Sequence, residues 1–205
     1  MKPWGGRFTE KTKDIVDKFN ASISFDKKLF YEDITGSIAH CKMLEKQQII
    51  THQECEKIIE GLQIILEEIK SGNFQFREDL EDIHMNIESR LIELIGEDGG
   101  KLHTSRSRND QVALDIRLYV KKNAFHAAEL LLTLIDKFNQ KAVMTQDALM
   151  PGFTHLQQAQ PILLAHHLLA YSEMFKRDFR RFITLFENLN ECPLGAGALA
   201  GTTFQ

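Results

Sequence analysis

The chain has 205 residues, of which 43% are hydrophobic and 26% charged, and its formal net charge at pH 7 is −4. That apolar share suffices for a core and the charged share is that of an ordinary globular domain. The acidic balance excludes a global basic field that would draw in nucleic acid. No apolar run reaches membrane-spanning length, and Met1 to Phe8 lacks the apolar segment of a signal peptide. Cys41, Cys55 and Cys192 are odd in number and far apart, which suggests neither a disulfide framework nor a zinc cluster. The expectation is a cytoplasmic protein without a metal site.

In chain order, Trp4 and Phe8 anchor an extended arm around a Gly-Gly turn, and residues 9–19 form a short amphipathic helix through Ile15, Val16 and Phe19. Asp26 is expected to cap a helix that runs to about Gln48, with Leu29, Phe30, Ile34, Ile38, Cys41 and Leu44 recurring at helical spacing. Thr51-His52-Gln53-Glu54 has the capping-box pattern. It opens a helix through Ile58, Leu62, Ile65 and Ile69, closed by Lys70-Ser71-Gly72. Residues 73–81 read as a loop plugged by Phe74 and Phe76. A helix from Asp82 to Ile95 follows, with Ile83, Ile87, Leu91 and Leu94 on one face and glycines at 96, 99 and 100 to stop it. His84 lies beside that face, where, on spacing alone, packing at a helix entrance explains it better than catalysis does.

His103 to Gln111 is the densest polar stretch, and its first seven residues hold two arginines, three hydroxyls, a carboxamide and a histidine at the start of a helix. Backbone N–H groups at a helix start lack intrahelical partners and the dipole is positive there, so added guanidinium and hydroxyl donors suit a carboxylate or phosphate. A polar loop capped by Asn109 or Ser107, with solvated arginines, accounts for the same residues. Beyond it, residues 110–141 contain neither proline nor glycine. Ala113, Ile116, Val120, Ala124, Ala127, Leu131, Leu134 and Phe138 recur every three or four positions, the pattern of a rod roughly 48 Å long. Pro161 opens a second rod through Ala165, Leu169, Ser172, Phe175, Phe179, Phe182, Phe186 and Leu189, which stops before Pro193. The two long helices are placed at 109–146 and 161–190. No strand is predicted, and rods of this length imply an all-α bundle. Between them Pro151-Gly152 reads as a turn, and Thr154-His155 as part of a polar loop in which an exposed histidine is unremarked. If the rods run antiparallel, a site uniting residues 103–110 with His155 requires two different subunits.

Trp4-Gly5-Gly6-Arg7-Phe8, Asn20-Ala21-Ser22, Glu81-Asp82-Ile83-His84, Lys101 to Gln111, Pro151 to Pro161 and Pro193 to Gly201 occur in this order. In that arrangement the whole chain resembles the argininosuccinate lyase family of the fumarase/aspartase superfamily. The resemblance implies an N-terminal helical domain, residues 1–108, and the first part of a central long-helix bundle, residues 109–205. It implies homotetramers whose active sites draw on three subunits. It also implies that the family's later flexible loop, with the serine regarded as the catalytic base, falls beyond Gln205, so that residues 1–205 alone are not expected to be a working enzyme.

The reaction implied is reversible elimination of fumarate from argininosuccinate to leave arginine, with no cofactor. Removing a proton next to a carboxylate builds a dianionic aci-carboxylate, and each donor aimed at such charge is worth about 3 kcal/mol. By resemblance Ser107, Arg108 and Asn109 hold the succinyl carboxylates, Thr154 adds a donor, and His155 has the acid/base or relay role that an imidazole can fill. Ser22 corresponds to a substrate contact, Asp26 to a residue near the arginine end, and His84 and Thr104 are further candidates. Relatives usually carry glycine at the position of Ser105, so a serine is tolerated there if its φ is negative. Three other readings stand beside this one. Adenylosuccinate lyase shares the fold but matches these motifs poorly. A non-catalytic lens-crystallin relative would be favoured by loss of a substrate contact, and none is lost. A nucleic-acid reader using Ser105 to Arg108 conflicts with the net charge.

Overall fold

The computed structural model describes residues 14–204; the Trp4–Phe8 arm and the start of the first expected helix lie outside them. The helices in chain order are α1 (Asp14–Asn20), α2 (Ile23–Asp26), α3 (Phe30–Lys46), α4 (His52–Lys70), α5 (Ile83–Ile95), α6 (Glu97–Gly100), α7 (Arg108–Met144) and α8 (Leu164–Asn188). Between α7 and α8 lie two antiparallel strands, β1 (Leu149–Thr154) and β2 (Gln157–Leu163). The all-α expectation holds apart from this hairpin. No helix among the described residues is long and apolar enough to cross a membrane.

The chain divides into two compact units, one reaching Arg117 and taking in Cys192 onward, the other spanning Leu118–Glu191. In the first, α3, α4 and α5 bury the stripes that their spacing announced. Ile34, Cys41 and Leu44 meet Cys55, Ile58, Leu62 and Ile65, and these meet Ile83, Ile87 and Leu91. Each such aliphatic side chain contributes about 1.5–3 kcal/mol when fully buried. The capping box at α4 forms as expected: Thr51 Oγ1 accepts from the Glu54 N–H, and the Glu54 carboxylate accepts from the Thr51 N–H at 2.7 Å.

Several local expectations are corrected. Asp26 does not cap α3; that helix begins after Leu29 with no side-chain cap, and Asp26 instead ends α2. Only Phe74 packs against the core, whereas Phe76 lies on Phe74 and is 38% exposed. In α1, Ile15, Val16 and Phe19 are exposed rather than packed.

In the second unit α7 and α8 run antiparallel. Phe125 meets Phe186, Phe138 meets Tyr171 and Phe175, and Ser172 Oγ donates to Asn139 at 2.8 Å. Small residues, Ala124, Ala128 and Ala142, are buried with Ile135 and Ser172 and let the helices approach. Two helices cover only one stripe of each other, so the expected seam is only partly buried: Leu134 and Leu169 are exposed, as are Leu130, Leu132 and Met174 beside them.

Candidate active site

The start of α7 is built by a reciprocal cap. Ser107 Oγ accepts from the Asn109 N–H at 3.3 Å, and Asp110 Oδ1 accepts from the Ser107 N–H at 3.0 Å. Of the two cap candidates, Ser107 therefore fills the position. Ser105, just ahead, has φ +62, and its buried hydroxyl has no hydrogen-bond partner. The condition of a negative φ is not met: the residue occupies the left-handed region that favours glycine, at about 1–2 kcal/mol.

Asn109 is exposed, and among the described residues its carboxamide makes no hydrogen bond, so its donors remain available at the positive end of the helix. Arg108 is not a solvated arginine. Its Nη1 donates to Gln111 Oε1 at 2.6 Å, its Nη2 to Glu88 Oε2 at 3.0 Å, and its Nε lies 3.5 Å from Asp82 Oδ2. Burial works to raise the Glu88 carboxyl, but His103 and Arg108 outweigh it and hold it below the ordinary value.

Ser22 and Asp26 are brought together at the start of α5. Ser22 Oγ donates to Asp26 Oδ2 at 2.5 Å, and Asp26 Oδ1 accepts from the Ile83 N–H at 3.2 Å. Burial pushes the Asp26 carboxyl up, against the Ser22 hydrogen bond. Asp82 caps that helix through Met85 N–H and also faces Arg108, so Ser22, Asp26 and Arg108 flank one helix end. Thr104 offers its carbonyl to His40 Nε2 at 2.8 Å.

His84 is buried rather than presented to solvent. Its Nδ1 lies 2.9 Å from Asp33 Oδ1 and 3.4 Å from Asp115 Oδ2, and all three side chains are at most 2% exposed. Asp33, His84, Arg106 and Gln111 line a cavity of about 10 Å³, room for one water and too small for a dicarboxylate. The ligand atoms of Asp33, His84 and Asp115 lie within 4.8 Å of one another, and among the described residues they form the group that could hold a cation. Asp33, Glu88, Gln111 and Asp115 were missed by sequence reasoning. The available signal was slight: Gln111 and Asp115, four apart, share a face of α7.

Thr154 and His155 lie in the second unit, at the hairpin tip rather than in an irregular loop. Thr154 pairs with Gln157 across a two-residue turn, and His155 and Leu156 both have positive φ, 51 and 62. That is the primed turn whose twist suits a hairpin, here without glycine. Pro151-Gly152 is not the turn. It belongs to β1, where the register shifts between Pro151 and Phe153, and a Cβ on Gly152 would lie 2.8 Å from the Gln160 carbonyl oxygen. Pro161 is likewise in β2, so the second rod starts three residues later, at Leu164. Thr154 and His155 are both exposed.

Comparison with known proteins agrees with this architecture. The argininosuccinate lyase of Pelobacter propionicus is 59% identical over 203 residues, which is 99% of this chain and 44% of that protein. The argininosuccinate lyase of Geotalea daltonii is 58% identical over 203 residues, with the same two coverages. The chain thus spans less than half the length of these curated relatives. Among solved structures, a fumarate-bound EDDS lyase variant superposes with a TM-score of 0.77 at 31% identity, over 87% of this chain and 35% of that one. A fumarate lyase from Mesorhizobium sp. BNC1 shares the fold, with a TM-score of 0.69 at 16% identity over 91% of this chain and 43% of that one. A family model described as "Lyase" matches residues 6–205, and the chain belongs to that lyase family.

Proposed function

We propose that this chain forms the N-terminal part of an argininosuccinate lyase, which eliminates fumarate from argininosuccinate and leaves arginine. The observation that carries the reading is the start of α7. An exposed, unengaged Asn109 carboxamide sits beside the capping hydroxyl of Ser107 and the fixed guanidinium of Arg108. Such donors bind a carboxylate and strengthen as the aci-carboxylate develops its second charge, with no reorganisation at the moment of reaction. Ser22 contacts the substrate, Asp26 serves the arginine end, and Thr154 and His155 add a donor and a proton-transfer group. The names of the relatives support the substrate, and the fumarate bound to the EDDS lyase variant supports the product class.

The protein is proposed to act as a cytoplasmic homotetramer, with the Thr154–His155 tip of one copy completing the site of another. The exposed apolar side chains of α7 and α8 in the second unit, among them Phe125, Leu130 and Met174, favour burial against other copies. The test joins residues 1–205 to the corresponding remainder of the Pelobacter propionicus relative and follows fumarate by ultraviolet absorbance. The joined protein should form fumarate from argininosuccinate and not from adenylosuccinate, and residues 1–205 alone should be far slower. A folded joined protein that acts on adenylosuccinate instead would move the assignment to the sister lyase.

A further inference from the structure

We propose that Asp33 and Asp115 share a single proton, and that this buried acid pair, acting through Gln111, positions Arg108. The inference rests on the proposed function only in taking Arg108 as a carboxylate-binding residue.

Asp115, on α7, is 1% exposed, and neither of its oxygens accepts a hydrogen bond. The charged and titratable groups facing it are Asp33 and Glu32 from α3, His84 from α5 and Arg106 ahead of α7. Two carboxylates buried side by side cannot both ionise without a large penalty, so one keeps a proton. The donors decide which. Asp33 Oδ1 has His84 Nδ1 at 2.9 Å and Gln111 Nε2 at 2.5 Å, whereas Asp115 has only His84 at 3.4 Å. Asp33 therefore carries the charge, and Asp115 carries the proton and donates it to Asp33. The electrostatics agree. Burial and then the Asp33 charge push the Asp115 carboxyl far up, while hydrogen bonds and charge from His84, Arg106 and Gln111 overcome burial and hold Asp33 down.

The pair is coupled to the candidate site by one side chain. Gln111 is buried; its Nε2 donates to Asp33 and its Oε1 accepts from Arg108 Nη1 at 2.6 Å. A carboxylate on one side and a guanidinium on the other allow only that amide orientation. Asp115 is thus a positioning residue: its proton lets Asp33 stay seated as the acceptor that orients Gln111 and hence Arg108.

Three measurements on the 205-residue chain test this. With carbonyl-labelled aspartate, the infrared spectrum at pH 7 should contain a protonated-acid band that Asp115→Asn removes. In urea unfolding, the native state holds one more proton than the unfolded chain at every pH from the ordinary carboxylate range up to the raised native value. Rising pH therefore weakens the fold there, and the folding constant relative to Asp115→Asn should drop by up to about tenfold per unit between pH 5 and 9. Asn donates the same hydrogen bond with no proton to lose, so its own curve lacks that slope.

Finally, hindered rotation of the Arg108 guanidinium, read as separate nitrogen resonances, should persist in Asp115→Asn. It should average out in Gln111→Met and in Asp115→Ala. Absence of the acid band, parallel pH curves, or hindered rotation that survives Gln111→Met would overturn the proposal. So would stabilisation by Zn²⁺ or Mn²⁺ that Asp115→Asn abolishes, which would assign the trio to a cation. None of these readouts uses substrate, so failure of the proposed activity would leave them standing.

Discussion

The Asp110 carboxylate accepts the backbone N–H of Gly197 at 2.8 Å, closing a contact between positions 87 apart in sequence. The same oxygen accepts from the Gly195 N–H at 3.2 Å, and the other accepts from Ser107. One side chain therefore fixes both the cap of α7 and the stretch after α8. Hydrogen bonds to a charged group are worth about 1.5–3 kcal/mol each, and removing the acceptor strands three donors. Asp110→Ala should lower unfolding free energy by about 2–4 kcal/mol, less than the sum because water reaches the freed groups. Asp110→Asn should cost less. A loss below about 0.5 kcal/mol for Asp110→Ala, the range of an ordinary surface change, would show the tether to be energetically idle.

Ser105 yields a prediction of opposite sign. Its left-handed φ costs about 1–2 kcal/mol, its buried hydroxyl is unpaired, and glycine gives back roughly 0.5–1 kcal/mol in entropy. Ser105→Gly should stabilise the chain by about 0.5–1 kcal/mol in urea titration. Destabilisation would mean that the serine makes an interaction absent from this account.

His40 gives a pH dependence. Burial, with the Arg106 charge, brings its pKa down to about 4, against the hydrogen bond to the Thr104 carbonyl. Between about pH 6.5, where an unfolded histidine titrates, and the native value, the unfolded chain binds the extra proton. Stability is therefore full above that window and lost as pH falls through it, by up to about 1.4 kcal/mol per unit. His40→Gln should remove this slope when the two unfolding curves are compared from pH 7 to 4. Parallel curves would contradict the assignment.

These features differ in how far they could be read from sequence. The packing of Ile58, Leu62 and Ile65 follows from spacing alone, and the Thr51–Glu54 box is a local motif, so both were legible. The hairpin was not. Its strands are mostly exposed, Gln157-Gln158-Ala159-Gln160 has no apolar alternation, and Pro151-Gly152 and Pro161 mimic a turn and a helix start. Asp26 looked like a cap for the helix after it, whereas it bonds back to Ser22, four residues earlier, and to the Ile83 N–H, a partner that only tertiary structure supplies. The Asp33–Asp115 pair joins α3 to α7, and no local pattern announces a contact of that range. Cys41 and Cys55 likewise come to 3.4 Å in the core, although their spacing suggested no pairing.

The turn at His155 separates a structural role from a chemical one. Asparagine adopts positive φ readily, so His155→Asn should preserve the hairpin, seen as unchanged amide shifts for Thr154 and Gln157. In the protein joined to its relative's remainder, loss of a proton-transfer group should slow fumarate formation by about 10²–10⁴-fold. An unchanged rate would remove His155 from the mechanism.

The central claim is that the start of α7 binds and stabilises the substrate carboxylate, and Asn109→Leu probes it most directly. Leucine keeps the size of the exposed side chain and deletes its donors, and no hydrogen bond among the described residues is lost with them. In the joined protein, circular dichroism should show unchanged helix content, while the initial rate of fumarate formation from argininosuccinate should fall by at least about 10²-fold. A rate within about twofold of the unsubstituted protein, well short of a single lost donor, would contradict the account.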